Sequence, residues 1–398
     1  MKATNKDIPI LFFFFGTLLF PFVLRARLFN QFALINIPVW FALFYGHQKN
    51  ILQLSSPKIS KQILLPYFVI GLLLLFLVPG NGWSIKRKIL LILIYLLPAS
   101  LLCSDIRDEE LVERYVKIWL ICIRSVCIFM CLCRLADAIA GGPVVQNMFA
   151  QLYQNDVLEY MISENRLVSY LGHPLSSAGV FLMLLSWSSI NAQLYSRKQL
   201  PYLVDAGISL LGIFLCASKA ALLLAVILLG FNLLRQRSGK QMLVLIAMLV
   251  ILLMSHVADD IIARVVEGIK NGDLTTGRAA AIEIMLADGT LTFDLLQGHI
   301  YEYGNVRMTA ALENPFLGWV FTCGLAFAVL QYLMYFVYPG LKVLFSRKAA
   351  PFMSMLVLMA YENASNGLYS FNDDLFIYTL NIWLILQVAT NTQKTGEA

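Results

Sequence analysis

Apolar residues fall in blocks of about 17 to 23 positions that recur from one end of the chain to the other, separated by Pro, Gly and clustered charges. Runs such as Ala220–Phe231 are continuously apolar, not alternating, which excludes a transmembrane β-barrel. The pattern predicts an all-α, polytopic membrane bundle of about twelve spans. Their centres fall near residues 16, 37, 71, 96, 124, 182, 208, 226, 248, 327, 356 and 381, and the pair flanking Ser218 can also be read as one broken helix. No internal repeat, low-complexity tract or soluble-domain linker interrupts the series, so residues 1–398 read as a single membrane domain. The run Ile8–Leu24 is long for a signal-peptide core and no A-x-A-like site follows it, so it is expected to remain as the first span.

Two segments break the short-loop rhythm. One is about Leu135–Arg166; the other, about Ala258–Asn314, is the long extracytoplasmic loop of the predicted topology. Within the second, apolar residues of Ile261–Ile269 and Ala279–Leu286 recur with helical spacing, predicting short amphipathic helices that lie over the bundle. Lys and Arg are somewhat more frequent in the loops that this topology puts inside, with both termini cytoplasmic; Lys86, Arg87 and Lys88 run against it. The dense charges of Asp105–Lys117 then fall inside and read as a solvated loop.

Composition sharpens the picture. With 59% hydrophobic and only 14% charged residues, against roughly 25% charged in soluble domains, a water-soluble enzyme is excluded. The formal charge of +6 comes from Lys and Arg scattered singly or in threes, which suits anionic lipid head groups and not nucleic acid. The seven cysteines sit almost entirely in apolar segments, where a thiol packs as a small hydrophobe. Cys127, Cys131 and Cys133 share one predicted helix with no His or carboxylate at ligand spacing, so neither a metal nor a disulfide framework is expected.

The candidate chemistry lies in short polar islands. In Arg166-Leu-Val-Ser-Tyr-Leu-Gly-His173-Pro174, the proline marks a helix start whose positive end suits an anion, and Arg166 can grip a phosphate with two parallel hydrogen bonds. The bland alternative is that Arg166 reaches to lipid head groups and His173 caps the helix. Lys219, in Cys-Ala-Ser-Lys-Ala, can add a second cation at the same boundary or extend to head groups. Arg124 falls in mid-span, a costly place for a charge and therefore a functional candidate with no partner visible in sequence. In the long loop, Gly277 permits a turn that aims Arg278 and the following helix start at a phosphate. Arg264 and Arg307 are further cations there. Gly298-His299-Ile-Tyr-Glu302-Tyr-Gly304 mixes aromatic and proton-transferring groups, as a sugar site would, and Glu313, ahead of Asn314-Pro315, is a candidate general base. There is no Walker loop, dinucleotide fingerprint, H-E-x-x-H or nucleophile elbow, so any reaction here draws on substrates already activated.

These islands, in their order, resemble the O-antigen polymerase and ligase superfamily over residues 160–340. Arg166–Pro174 is similar to its Arg, Gly and His/Asn-Pro signature, and Ser218-Lys219-Ala220 resembles its Ser-Arg-Gly element. Gly277-Arg278 resembles its loop Gly-Arg, Gly298 falls at its glycine-rich turn, and Glu313-Asn314 with Gly324 follows its next motif. Ligases carry His where this chain has Glu313, which favours the polymerase branch; Lys219 replaces the usual Arg. The resemblance implies a metal-independent, cofactor-free glycosyltransferase in the bacterial inner membrane, its site facing the periplasm or exterior. Its substrates would be undecaprenyl-pyrophosphate-linked oligosaccharides, with a chain-length regulator and a flippase as candidate partners. Arg166, Arg278 and Lys219 would hold the pyrophosphate, and Glu313, then His299 and His173, would serve as base. A ligase onto lipid A core or protein, and a flippase or other transporter, are the competing expectations.

Overall fold

The structure, a computed structural model, describes residues 14, 18, 52–54, 98–99, 101–106, 108–153, 156–195, 199–236, 247, 259–270, 278–287, 289, 294–296, 314–364 and 374–391. In chain order these form the strands β1 (Leu52–Leu54) and β2 (Ser104–Ile106), then α1 (Glu109–Ala140), α2 (Val144–Tyr153), α3 (Asp156–Ser163), α4 (Pro174–Leu194), α5 (Gln199–Cys216), α6 (Lys219–Gln236), α7 (Asp259–Lys270) and α8 (Arg278–Ala287). There follow α9 (Pro315–Cys323), α10 (Leu325–Tyr332), a π-helical turn (Leu333–Val337), α11 (Tyr338–Phe345), α12 (Ala349–Asn363) and α13 (Asp374–Asn391). The described residues are all-α apart from the antiparallel β1–β2 ribbon, in which Gln53 pairs with Asp105.

Among the described residues, three helices are long and apolar enough to cross a membrane: α1, α4 and the continuous run Leu325–Phe345. At 32 residues, α1 extends about 48 Å, well beyond a hydrocarbon core of about 30 Å. The spans expected near 124, 182, 208, 226, 327, 356 and 381 coincide with α1, α4, α5, α6, α10–α11, α12 and α13. Those near 16, 37, 71, 96 and 248 lie outside the described residues, apart from Phe14, Leu18, residues 98–99 and 101–102, and Ala247.

The chain divides into two compact units. The unit of residues 116–274 and 349–361 is organised on α4, buried along most of its length. Its neighbours reach it through small residues and interhelical hydrogen bonds, the devices that hold helices together where surrounding lipid is as apolar as the protein. Gly212 of α5 lets the Phe181 ring lie directly on the α5 backbone, and Gly179 receives the ring of Tyr361. The Tyr361 hydroxyl donates to the Leu175 carbonyl at 2.6 Å and Ser354 Oγ to the Ser186 carbonyl at 3.2 Å, docking α12 along α4. At the α4 carboxyl end, Asn232 of α6 accepts from Ser189 and Gln193 and donates to the Tyr202 hydroxyl, tying α4, α5 and α6 with four side chains.

In the unit of residues 1–115, 275–348 and 362–398, α13 presents Trp383, Gln387 and Asn391 at successive turns to the backbone of β2. Trp383 Nε1 and Gln387 Nε2 donate to the Ser104 carbonyl, Gln387 Oε1 accepts from Ile106 N–H at 2.8 Å, and Asn391 donates to the Ile106 carbonyl. A buried strand edge is thereby satisfied by a helix face, as buried backbone groups require. Pro339 has no N–H to give the carbonyl four residues back, at Tyr335. The Tyr378 hydroxyl supplies the missing donor at 3.0 Å, and the ladder there loosens into the π turn. The span expected to start at Pro315 is broken at Gly324, whose φ of 92° and ψ of 162° suit only glycine. The first amides of α10 instead donate to the carbonyls of Asp294 and Leu295, so this part of the long loop is fastened to the break.

Candidate functional site

Arg166 is set in place by its own local sequence. Helix α3 ends with Asn165 in the left-handed region at φ 55°, a conformation Asn tolerates, and the chain closes with Asn165 N–H to Ile162 and Arg166 N–H to Met161. This pair of bonds is a Schellman cap, and Arg166 occupies the position just past it. Its guanidinium, in a residue 7% exposed, donates from Nη1 to the Met161 sulfur at 2.9 Å and from Nε to the Cys216 carbonyl at 3.2 Å. Cys216 closes α5, so the cation sits at that helix's negative end.

The segment that follows is pinned from several sides. Leu167 N–H donates to the Leu215 carbonyl, and Val168 N–H to Oε1 of Gln146 on α2 at 2.9 Å. Tyr153 Oη donates to the Tyr170 carbonyl, and Gly172, at φ 81°, packs against the Tyr153 ring where a side chain would collide. Helix α2 is itself anchored by Asp137, whose carboxylate accepts from Val145 and Gln146 N–H. His173 then caps α4: its Nδ1 accepts from Leu175 N–H at 3.2 Å and Pro174 takes the first helical position. With that lone pair engaged, a neutral His173 carries its proton on Nε2 and presents a donor there.

Helices α5 and α6 are separate and are joined by one reversal. Ala217 adopts φ 50°, Ser218 caps α6 through Oγ to Ala221 N–H, and Lys219 is the first residue of α6, half-buried. Arg166, 50 positions from Cys216 in sequence, is thus brought to the turn that carries Lys219, beside the amino ends of α4 and α6. Both helix starts are electropositive, and two cations join them.

The remaining candidates are placed differently. Arg124 lies in α1 and is paired with Asp205 of α5 by Nε–Oδ1 at 2.6 Å and Nη2–Oδ2 at 2.8 Å, and Ser188 Oγ donates to the same carboxylate at 2.7 Å. Asp205, 1% exposed, escaped the sequence reading. The available signal was that it is the one carboxylate in α5, an apolar helix, so a mid-span acid and a mid-span base invited pairing. Gln146 and Asp137 carried no signal, because their roles exist only through the fold. Arg278 opens α8 and Arg264 lies within α7. Glu313, His299 and Arg307 lie outside the described residues. The seven cysteines are free thiols.

Comparison with protein-family models, curated proteins and solved structures finds no match. The described residues are all-α apart from one short ribbon and include three helices long and apolar enough to cross a membrane, which suggests a multi-pass membrane protein.

Proposed function

We propose that the protein is a surface-polysaccharide polymerase of the bacterial inner membrane. It would move a growing glycan from undecaprenyl pyrophosphate to a hydroxyl of the next lipid-linked repeat unit. The motif order in the sequence supports this, and the observation that carries it is the gathering of Arg166 and Lys219 at one end of α4, α5 and α6, beside two helix amino termini. In the reaction the acceptor oxygen attacks the anomeric carbon, the bond from that carbon to the pyrophosphate oxygen breaks, and the hydroxyl proton passes to a base. Charge accumulates on the departing pyrophosphate, and fixed cations in a site of low dielectric are the means of stabilising it. Arg166 and Lys219 hold it, and the motif resemblance alone assigns Arg278 to the same group. Glu313 is the first candidate for the base and His299 the second. His173 comes last, because its engaged Nδ1 suits it better to donate from Nε2 to a phosphate oxygen.

Arg166→Lys and Arg278→Lys test the pyrophosphate role, since each retains the charge and loses the planar fork. Chain extension in cells should fall at least tenfold at unchanged protein level; full-length glycan from both variants overturns the assignment. A deletion strain separates polymerase from ligase: single-repeat surface lipid marks the former, long carrier-linked chains with bare core the latter. The mid-span pair of Arg124 and Asp205 favours a transporter as the second reading. Conversion of lipid-linked repeats to longer chains by purified protein in detergent, with no second compartment, excludes it.

A further inference from the structure

Helix α7 has the sharpest division of apolar and polar residues among the described helices. At 100° per residue, Ile261, Ile262, Val265, Val266 and Ile269 occupy one arc, and Asp260, Arg264 and Glu267 fall on the other. From the sequence, the apolar arc is expected to lie on the bundle. Where the structure describes its side chains, the arc is uncovered: Ile262 is 41% exposed, Val266 42% and Ile269 65%. β-Branched side chains in water forfeit roughly 2 kcal/mol each relative to burial, so a stripe of them needs a cover.

The chain's course says what the cover is. Residues 242–254 are an unbroken apolar run belonging to the span predicted near 248, and α7 begins at Asp259. The four intervening residues reach at most about 14 Å, about the depth of a head-group layer, so the predicted span puts the start of α7 at the membrane boundary. Low net hydrophobicity combined with a segregated apolar face is the composition of helices that lie in that boundary. We infer that α7 is an interfacial helix whose apolar arc is embedded among lipid head groups and upper acyl chains. It holds the beginning of the 258–314 segment, Arg264 included, flat on the bilayer. This inference depends on the chain being a membrane protein and not on the polymerase assignment.

The test measures depth directly. A coumarin-bearing amino acid is introduced singly at position 262, 266 or 269, and for comparison at 263 or 270, in the full-length protein. Each variant is reconstituted in phosphatidylethanolamine–phosphatidylglycerol vesicles whose lipids are brominated near the head-group end of the acyl chain. All five positions are exposed, so the fold tolerates the probe. The expected result is quenching at 262, 266 and 269 several-fold stronger than at 263 and 270. Equal quenching on both faces overturns the inference, because the helix would then be buried throughout or not oriented. So does an unquenched apolar arc, and an arc whose quenching disappears as the protein-to-lipid ratio rises would assign the face to a second copy instead.

Discussion

Arg124 and Asp205 meet as a planar fork on a carboxylate, two hydrogen bonds of 2.6 and 2.8 Å between α1 and α5, with Ser188 of α4 completing the acceptor. Removing one member leaves the other charged and uncompensated. Asp205→Ala should lower stability by about 3 kcal/mol, the low end for a buried pair, because the Arg124 side chain is 32% exposed. The double variant Arg124→Met with Asp205→Leu should recover most of that loss. Thermal unfolding in detergent measures both, and a double variant as unstable as the single one would show that the pair does more than satisfy itself.

Close approach of α4 and α5 depends on a missing side chain. A Cβ at position 212 would collide with the Phe181 ring, and neither helix can withdraw without opening the core. Gly212→Ala should destabilise by about 2 kcal/mol or more. Phe181→Leu in the same chain should restore part of the stability, as read from the fraction remaining monodisperse after heating.

The carbonyl of Tyr335, deprived of a donor by Pro339, relies on the Tyr378 hydroxyl. Tyr378→Phe should cost about 1 to 2 kcal/mol. In a Pro339→Ala background the backbone N–H returns, so the same change should cost about 1 kcal/mol less. A double-mutant cycle with no coupling would refute this account of the π turn.

Burial holds the Lys348 amine down from its ordinary 10.5 to about 8, partly opposed by Glu109. Its Nζ donates to the Val388 carbonyl at 3.1 Å, which a neutral amine can also do. Between about 8 and 10.5 the unfolded chain binds the proton and the folded chain does not, so stability rises with pH across that window. Lys348→Met should flatten the rise. Carbon-13 methyl labelling of the lysines, followed by NMR titration, should find this amine losing its proton well before the others.

Helix positions were largely legible because the signal is local. A continuous apolar block has one solution in lipid, a helix that satisfies its own backbone, and the blocks around 124, 182, 208, 226, 356 and 381 are helices. Helix starts were legible for the same reason: Pro174 and Pro315 sit where a helix must begin. The reversal between α5 and α6 was ambiguous, since Ala217 gives no sign of a positive φ, and the break at Gly324 was hidden within a run that reads as one span.

By itself, then, the sequence determined that this chain is all-α and that it is built for a membrane, because periodicity, hydropathy and capping act over a few residues at a time. Only the tertiary structure decided that Arg124 belongs to Asp205, that Arg166 is held at the end of α5 beside Lys219, and that Ile262, Val266 and Ile269 of α7 are exposed. Those are relations between segments far apart in the chain, fixed by which helices pack together, and no local pattern encodes them.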